Sequence, residues 1–406
     1  DSYFLVENVW TKNYEGIRIV NRFLEKIDEL KMPVKPTTSG TNEELVRTRE
    51  RMKGEAHFLR AYFYFELIKR YGGVPLITKS LTAEEAQQVT RASYDDCMKQ
   101  IIADCDTAAN RLPEQYKGSS ESVGFDDKKE LGRPTTGSAY GLKSRALLYW
   151  ASPLNNPNND KQRYKLAIDA AQKVVESAFR YKLMAFTDED ETFTDLYAVS
   201  ENFLQYHREI VFSTKYNTTT SVESQNSPLT MGGKGLTNPT QNLADAFGMA
   251  NGKGINELGS GYDKDHPYVG RDPRFYMTFA YDGSTFTVND KTQTIETFEG
   301  GKDATATNKT ATKTGYYLKK LLSPQAVWDG RTNNITRTWI LMRYAEVLLN
   351  CAEAMNEYYD TPSAAPKDSI YKVVELIRKR AQLNPHKLPT GLSKEEMREV
   401  IRNERR

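Results

Sequence analysis

The chain has 406 residues, 27% of them charged and 38% hydrophobic, with a formal net charge of +2. That length can bury a sizeable core, and the near-balanced charge leaves no electrostatic footprint for nucleic acid or an acidic membrane surface. Three cysteines without metal-type Cys/His spacing argue against a disulfide framework or a zinc module, and no apolar run is long enough to cross a membrane.

In chain order, residues 8–30 read as a helix with Trp10, Tyr14, Ile17, Val20, Leu24 and Ile27 on one face. A Pro/Thr/Ser/Gly segment from Met32 to Thr41 breaks it. Arg51 to Arg70 is the next helix, with Phe58, Ala61, Tyr62, Phe65 and Ile68 as its stripe. It is stopped by Gly72 and Gly73, and Pro75 prevents a restart. Ser93 opens another, with Asp95 and Asp96 in the first turn. Cys97 and Cys105 lie on it, about 12 Å apart along the axis at the helical rise, beyond disulfide reach, so buried free thiols are expected. Pro134 to Gly137 lead into a helix reaching Trp150, a loop runs from Ser152 to Asn159, and Tyr164 to Ala178 form the next helix. Paired amphipathic helices with short links suggest a helix-hairpin array, although no strict 34-residue repeat is visible, so a tetratricopeptide reading is only partial.

After about Phe186 the character changes. Glu209–Tyr216 and Phe286–Val288 are β-like, and long Gly/Asn/Thr/Ser-rich runs lie between and beyond them. Helix returns with Tyr344, Val347, Leu348, Cys351, Ala352, Met355 and Tyr359 on one face. Ile370–Ala381 follows, and Ser393 with Glu396 makes a capping box for the last helix. The expected fold is mainly α: a helical scaffold over 1–185, a loop-rich part with a few short strands over 186–338, and C-terminal helices of the scaffold over 339–406. Both ends are expected to be internal to a longer protein, because Asp1 lies close to a helical pattern and Arg406 inside a helix barely begun.

Several segments carry a resemblance. "WTKNYEGIRIVNRFLEKID", "EAHFLRAYFYFELIKRYGGVPL", "GRPTTGSAYGLKSRALLYWASPLNN", "YDKDHPYVGRDPRFYMTF", "WILMRYAEVLLNCAEAMNE" and "IRNERR" resemble, in order, segments of the SusD/RagB family of surface glycan-binding lipoproteins. The resemblance implies four tetratricopeptide-like helix pairs packed against an irregular glycan-binding part. It implies non-catalytic capture of oligosaccharide at the outer face of the outer membrane, and a SusC-type TonB-dependent transporter as partner. It also implies a membrane tether through a lipidated N-terminal cysteine that this stretch of chain does not contain. Arg271, Asp272 and Arg274 are structural in the family pattern, most simply an internal charge-paired network.

Sugar binding needs flat apolar faces and a few planar polar groups on braced loops. Trp328, in "SPQAVWDGRTNN" beside Asp329, Arg331, Asn333 and Asn334, is the leading candidate, with a plug under the loop as the competing role. Tyr216 and Asn217, at the end of a predicted strand, follow. Trp10 is a further candidate, with helix packing as its competing role, whereas Trp150 and Trp339 sit in hydrophobic patterns and are expected in the core. Asp263, Asp265 and His266 do not make an EF-hand, the Gly252–Gly254 turn is not a phosphate loop, and no cofactor is expected. No nucleophile elbow is present, and nothing singles out a carboxylate pair. The alternatives are a helical-repeat interaction module, a peptide-binding relative and a glycoside hydrolase.

Overall fold

The computed structural model describes residues 2–29, 42–116, 130, 132–177, 181–184, 208–215, 217–328 and 335–406. They divide into two compact units. The first comprises Asp1–Ser120, Arg133–Tyr181 and Met342–Asp360, and the second Glu121–Gly132, Lys182–Leu341 and Thr361–Arg406.

The first unit is helical: α1 (Ser2–Lys26), α2 (Asn42–Tyr71), α3 (Ala83–Gln87), α4 (Tyr94–Arg111), α5 (Thr136–Ala151), α6 (Lys161–Val175) and the returning α10 (Tyr344–Tyr358). Apart from the short α3, each packs on its neighbour in sequence: α1 on α2, α2 on α4, α4 on α5, α5 on α6 and α6 on α10. This is the expected helix-hairpin array. Being sandwiched between α1 and α4, α2 buries more than one stripe, and Tyr64, Phe65, Leu67 and Ile68 are all out of solvent. Each such large side chain contributes about 1.5–3 kcal/mol.

The Gly-Gly stop of α2 has two separate causes. Gly72 ends the helix in the left-handed region (φ 69°) with its N–H on Ile68 O at 3.0 Å. Gly73 permits a close approach, since a Cβ there would lie 2.1 Å from Ala92 O. The extended segment after it is held by side chains. Tyr14 donates to Pro75 O at 2.7 Å, Tyr64 to Ile77 O at 2.8 Å, and Asn21 to Ile77 O at 3.0 Å. Beneath lies a buried charge pair, with Arg60 donating to both oxygens of Asp104 at 2.8 and 2.7 Å. His57 Nδ1 approaches the same carboxylate at 2.7 Å. Ser93 caps α4 as expected, its hydroxyl accepting from Asp96 N. The three cysteines are buried and free.

The second unit holds β1 (Ile210–Ser213), β2 (Asn217–Thr218), α7 (Ser221–Asn226), α8 (Gln241–Ala246), α9 (Pro273–Thr278), β3 (Phe279–Ala280), β4 (Thr285–Val288), β5 (Lys291–Thr294), β6 (Tyr317–Leu318) and β7 (Thr336–Arg337). With β8 (Ile340–Arg343), its strands pair as nested couples, β1–β8, β2–β7, β3–β6 and β4–β5. The chain therefore runs out and retraces itself, turning at Asn289-Asp290, both at positive φ (54° and 55°) in the two-residue turn of a hairpin. The long polar runs are consequently not structureless: they contain α7, α8 and turns pinned by backbone hydrogen bonds.

Helices α11 (Ser369–Arg380) and α12 (Lys394–Arg405) also group with this unit, while only 342–360 of the stretch 339–406 joins the helical array. Buried ion pairs explain the attachment. Arg380 reaches the wholly buried Glu209 at 2.7 Å, and Glu404 accepts from Arg274 at 2.7 Å and Arg378 at 3.4 Å. Arg274 also pairs with Asp272 at 2.7 Å, so part of the expected charge-paired network is present. Arg271 departs from it. Its guanidinium is buried, pairs with no carboxylate among the described residues, and donates instead to the carbonyls of Gly248, Pro267, Ala244 and Phe247 at 3.3, 2.8, 2.7 and 2.6 Å. It lies 4.5 Å from the Phe275 ring and 5.4 Å from that of Tyr262.

Candidate functional site

The segment that carries Trp328 is fixed at successive points. Leu318 and Tyr317 pair with β3, the Lys319 amide donates to Thr278 O at 3.0 Å, and Leu321 O accepts from Arg337 at 3.0 Å. Ser323 N donates at 2.9 Å to Glu223, a wholly buried carboxylate that also pairs with Arg337. Further on, Asn289 N donates to Ala326 O at 2.8 Å and Asn289 Oδ1 accepts from Trp328 N at 3.0 Å. The indole Nε1 donates to Gly232 O at 3.1 Å. Gly232 is at φ 86°, and a Cβ there would face Trp328 Nε1 at 3.7 Å.

The ring is half-buried against the cluster of Met231, Phe286, Val288, Tyr317 and Leu322, with Leu318 and Val222 beside it. An indole whose N–H is already satisfied by the protein cannot select a ligand by donating a hydrogen bond. It can offer its uncovered surface as a rigid stacking face.

Asn217 is exposed on β2, in register with Arg337 of β7, and the Thr218 and Thr336 hydroxyls meet at 3.2 Å across the same pair. Trp339 corrects the expectation that it lies in the core, being 54% exposed. Its backbone is locked to Thr214, donating to Thr214 Oγ1 at 3.0 Å and accepting from Thr214 N at 2.9 Å. Arg337, drawn inward by Glu223, ends β7, and the chain leaves the ladder at Thr338 and Trp339 before β8 begins, so the strand alternation does not carry through and Trp339 is left outward. Trp150 is half-buried rather than core, with Nε1 on Asp95 at 2.6 Å and the Arg163 guanidinium 4.2 Å from its ring.

Trp10 belongs to the helical unit, half-buried against Tyr14 (5.0 Å between centroids) and Tyr71 (5.1 Å), the packing arrangement weighed against ligand contact. Trp328 and Asn217 are in the other unit. Asp329, Arg331, Asn333, Asn334 and Tyr216 lie outside the described residues.

Asp263 accepts from Asp265 N at 2.9 Å and meets His266 Nδ1 at 2.8 Å, contacts that hold its carboxyl below the usual range. Among the described residues no group of three His, Cys, Asp or Glu side chains could hold a metal ion, and no helix is long and apolar enough to cross a membrane. Glu209 and Glu223, both wholly buried, are engaged by arginines.

A family model described as the SusD family matches residues 203–406, and one described as starch-binding associating with outer membrane matches residues 3–148. The chain is 24% identical over 363 residues to SusD-like protein P2 of Formosa agariphila, covering 87% of this chain and 61% of that relative. The chain thus spans under two thirds of that protein's length. A SusD-like protein of Bacteroides fragilis superposes with a TM-score of 0.76 at 30% identity, covering 98% of this chain and 72% of that one. A SusD-like carbohydrate-binding protein of the same organism gives 0.74 at 24%, covering 99% and 70%, and at that identity it speaks to the fold alone.

Proposed function

The chain belongs to the SusD family, and from that premise we propose that it captures oligosaccharide without cleaving it. We place this capture at the outer face of the outer membrane, on a lipid-anchored protein that delivers its cargo to a SusC-type TonB-dependent transporter. The observation that carries the binding half is the seat of Trp328. A half-buried indole, clamped through both its backbone and its ring nitrogen, loses little freedom when a sugar ring stacks on it. Asn217 is proposed as a hydroxyl-binding group and Trp10 as a subsidiary contact, with Asp329, Arg331, Asn333 and Tyr216 completing the ligand-binding set.

The test is a panel of plant, host and microbial glycans by affinity electrophoresis and calorimetry. Retardation by at least one glycan is expected. Trp328→Ala should weaken it by about 2 kcal/mol, roughly thirtyfold, the scale of an aromatic hot spot. Silence across the panel overturns the reading.

A further inference from the structure

Gly232, Asn289 and Trp328 meet at one exposed point of the second unit. Gly232 is open to solvent. A Cβ built on it would have, chain neighbours aside, two atoms of the described residues within 4 Å: Asn289 Nδ2 at 3.4 Å and Trp328 Nε1 at 3.7 Å. The bare face of this glycine is therefore bordered by an amide nitrogen and by the nitrogen edge of the indole, and a ligand can approach the backbone closely there. The Asn289 amide is held in one orientation. Its Oδ1 accepts from Trp328 N at 3.0 Å, and its Nδ2 donates to Met231 O at 3.4 Å. Turned over, it would set N–H against N–H and oxygen against oxygen. The Asn289 backbone is tied to the same stretch through Ala326 O at 2.8 Å, so amide and indole share one support.

The acceptors at this point already have donors. Gly232 O takes Trp328 Nε1 at 3.1 Å, Met231 O takes Asn289 Nδ2, and Asn289 Oδ1 takes Trp328 N. The amide nitrogen carries two hydrogens, and Met231 O accounts for one of them. What borders the glycine is thus a hydrogen-bond donor beside carbon, in the form of Gly232 Cα and the indole edge. A hydroxyl suits such a surface poorly, because its own hydrogen would need an acceptor. A carbonyl bearing a methyl group suits it well, being an acceptor with a small apolar end. We propose that this point recognises an acetyl group carried by a sugar, as an acetamide or an ester. Its carbonyl accepts from Asn289 Nδ2, its methyl lies against Gly232 and the indole edge, and the sugar ring stacks on Trp328. The proposal rests on the glycan-binding reading and narrows its substrate class.

The test is calorimetric titration of the chain with oligosaccharide pairs matched except at the acetylated position. The pairs are chitohexaose with cellohexaose, and O-acetylated with deacetylated xylo- and manno-oligosaccharides. Wild type, Asn289→Asp and Gly232→Ala are compared, with folding checked by circular dichroism and thermal melts. In at least one pair the acetylated member should bind wild type about tenfold tighter, the scale of one hydrogen bond and one covered methyl. Asn289→Asp keeps an oxygen for Trp328 N but loses the donor, and within that variant the ratio should fall to about one. Gly232→Ala covers the bare face and should also abolish the preference. Alanine is strained at φ 86°, so if that variant does not fold the aspartate variant decides alone. A response of the chitohexaose pair identifies the acetamide, and a response of the other pairs the ester. No acetyl preference in any pair, or a preference that survives either folded variant, overturns the proposal while leaving glycan binding intact. So does binding of other glycans when no acetylated probe binds. Absence of binding to every saccharide overturns the glycan reading itself.

Discussion

Replacing Arg271 with methionine removes a buried cation and four hydrogen bonds at once, and the structure allows the cost to be worked out. Gly248 O and Ala244 O each keep a second donor, Asp272 N and Phe247 N. Pro267 O and Phe247 O have no other donor among the described residues. Leaving two carbonyls unsatisfied costs about 1–3 kcal/mol each, or about 2–6 kcal/mol together. Loss of the guanidinium from the Phe275 ring at 4.5 Å adds up to about 2 kcal/mol. Relief of an uncompensated buried charge works in the opposite direction, so a net loss of about 4 kcal/mol is expected, a large share of a typical domain's stability. Lysine, with one compact donor head, should recover less than half of it. Urea unfolding of wild type, Arg271→Met and Arg271→Lys measures the loss. Hydrogen exchange should localise it to the segments flanking α8 and α9. A methionine variant within about 1 kcal/mol of wild type would refute the view that Arg271 serves these carbonyls.

Two further consequences concern the helical unit. Gly73→Ala should cost about 2–3 kcal/mol, because its Cβ would meet Ala92 O, whereas Gly72→Ala should cost only about 1 kcal/mol, its Cβ finding open space and only the φ of 69° opposing it. Thermal melts of the two variants should rank in that order. Burial opposes ionisation of Asp104, but hydrogen bonds from Arg60 and His57 outweigh it and hold its carboxyl below the usual range. Its contribution to stability should therefore be complete above the ordinary aspartate pKa of about 3.9 and be lost as pH falls through the lower folded value. Asp104→Asn should flatten that acid limb in urea midpoints measured against pH.

The helical array was legible because its signals are local and repeated. The stripes of α1, α2, α4 and α6, the Ser93 cap, the Ser393/Glu396 box and the Gly-Gly stop each depend on residues within one or two turns. The second unit depends on partners far apart in the chain. Glu223 finds Arg337 over a separation of 114 residues and Glu209 finds Arg380 over 171, and four-residue or shorter strands pair in nested couples that no periodicity announces. For the same reason Trp339 read as core. "WILM" looks like a buried run, but Trp339 lies in the break between β7 and β8, where its backbone is held by Thr214, 125 residues away, and its ring stays exposed. Trp328 could be picked from its turn-rich neighbourhood, but its clamp could not, because Gly232 and Asn289 approach it from 96 and 39 residues away.

The central claim is capture without turnover, and one measurement addresses both halves. An oligosaccharide retained by the protein in the affinity panel is titrated calorimetrically, and the recovered ligand is then analysed by chromatography after prolonged incubation. The account predicts saturable heat, a ligand returned at its original length, and a markedly weaker isotherm for Trp328→Ala. Shortened products, or an isotherm unchanged by loss of the indole, would contradict it.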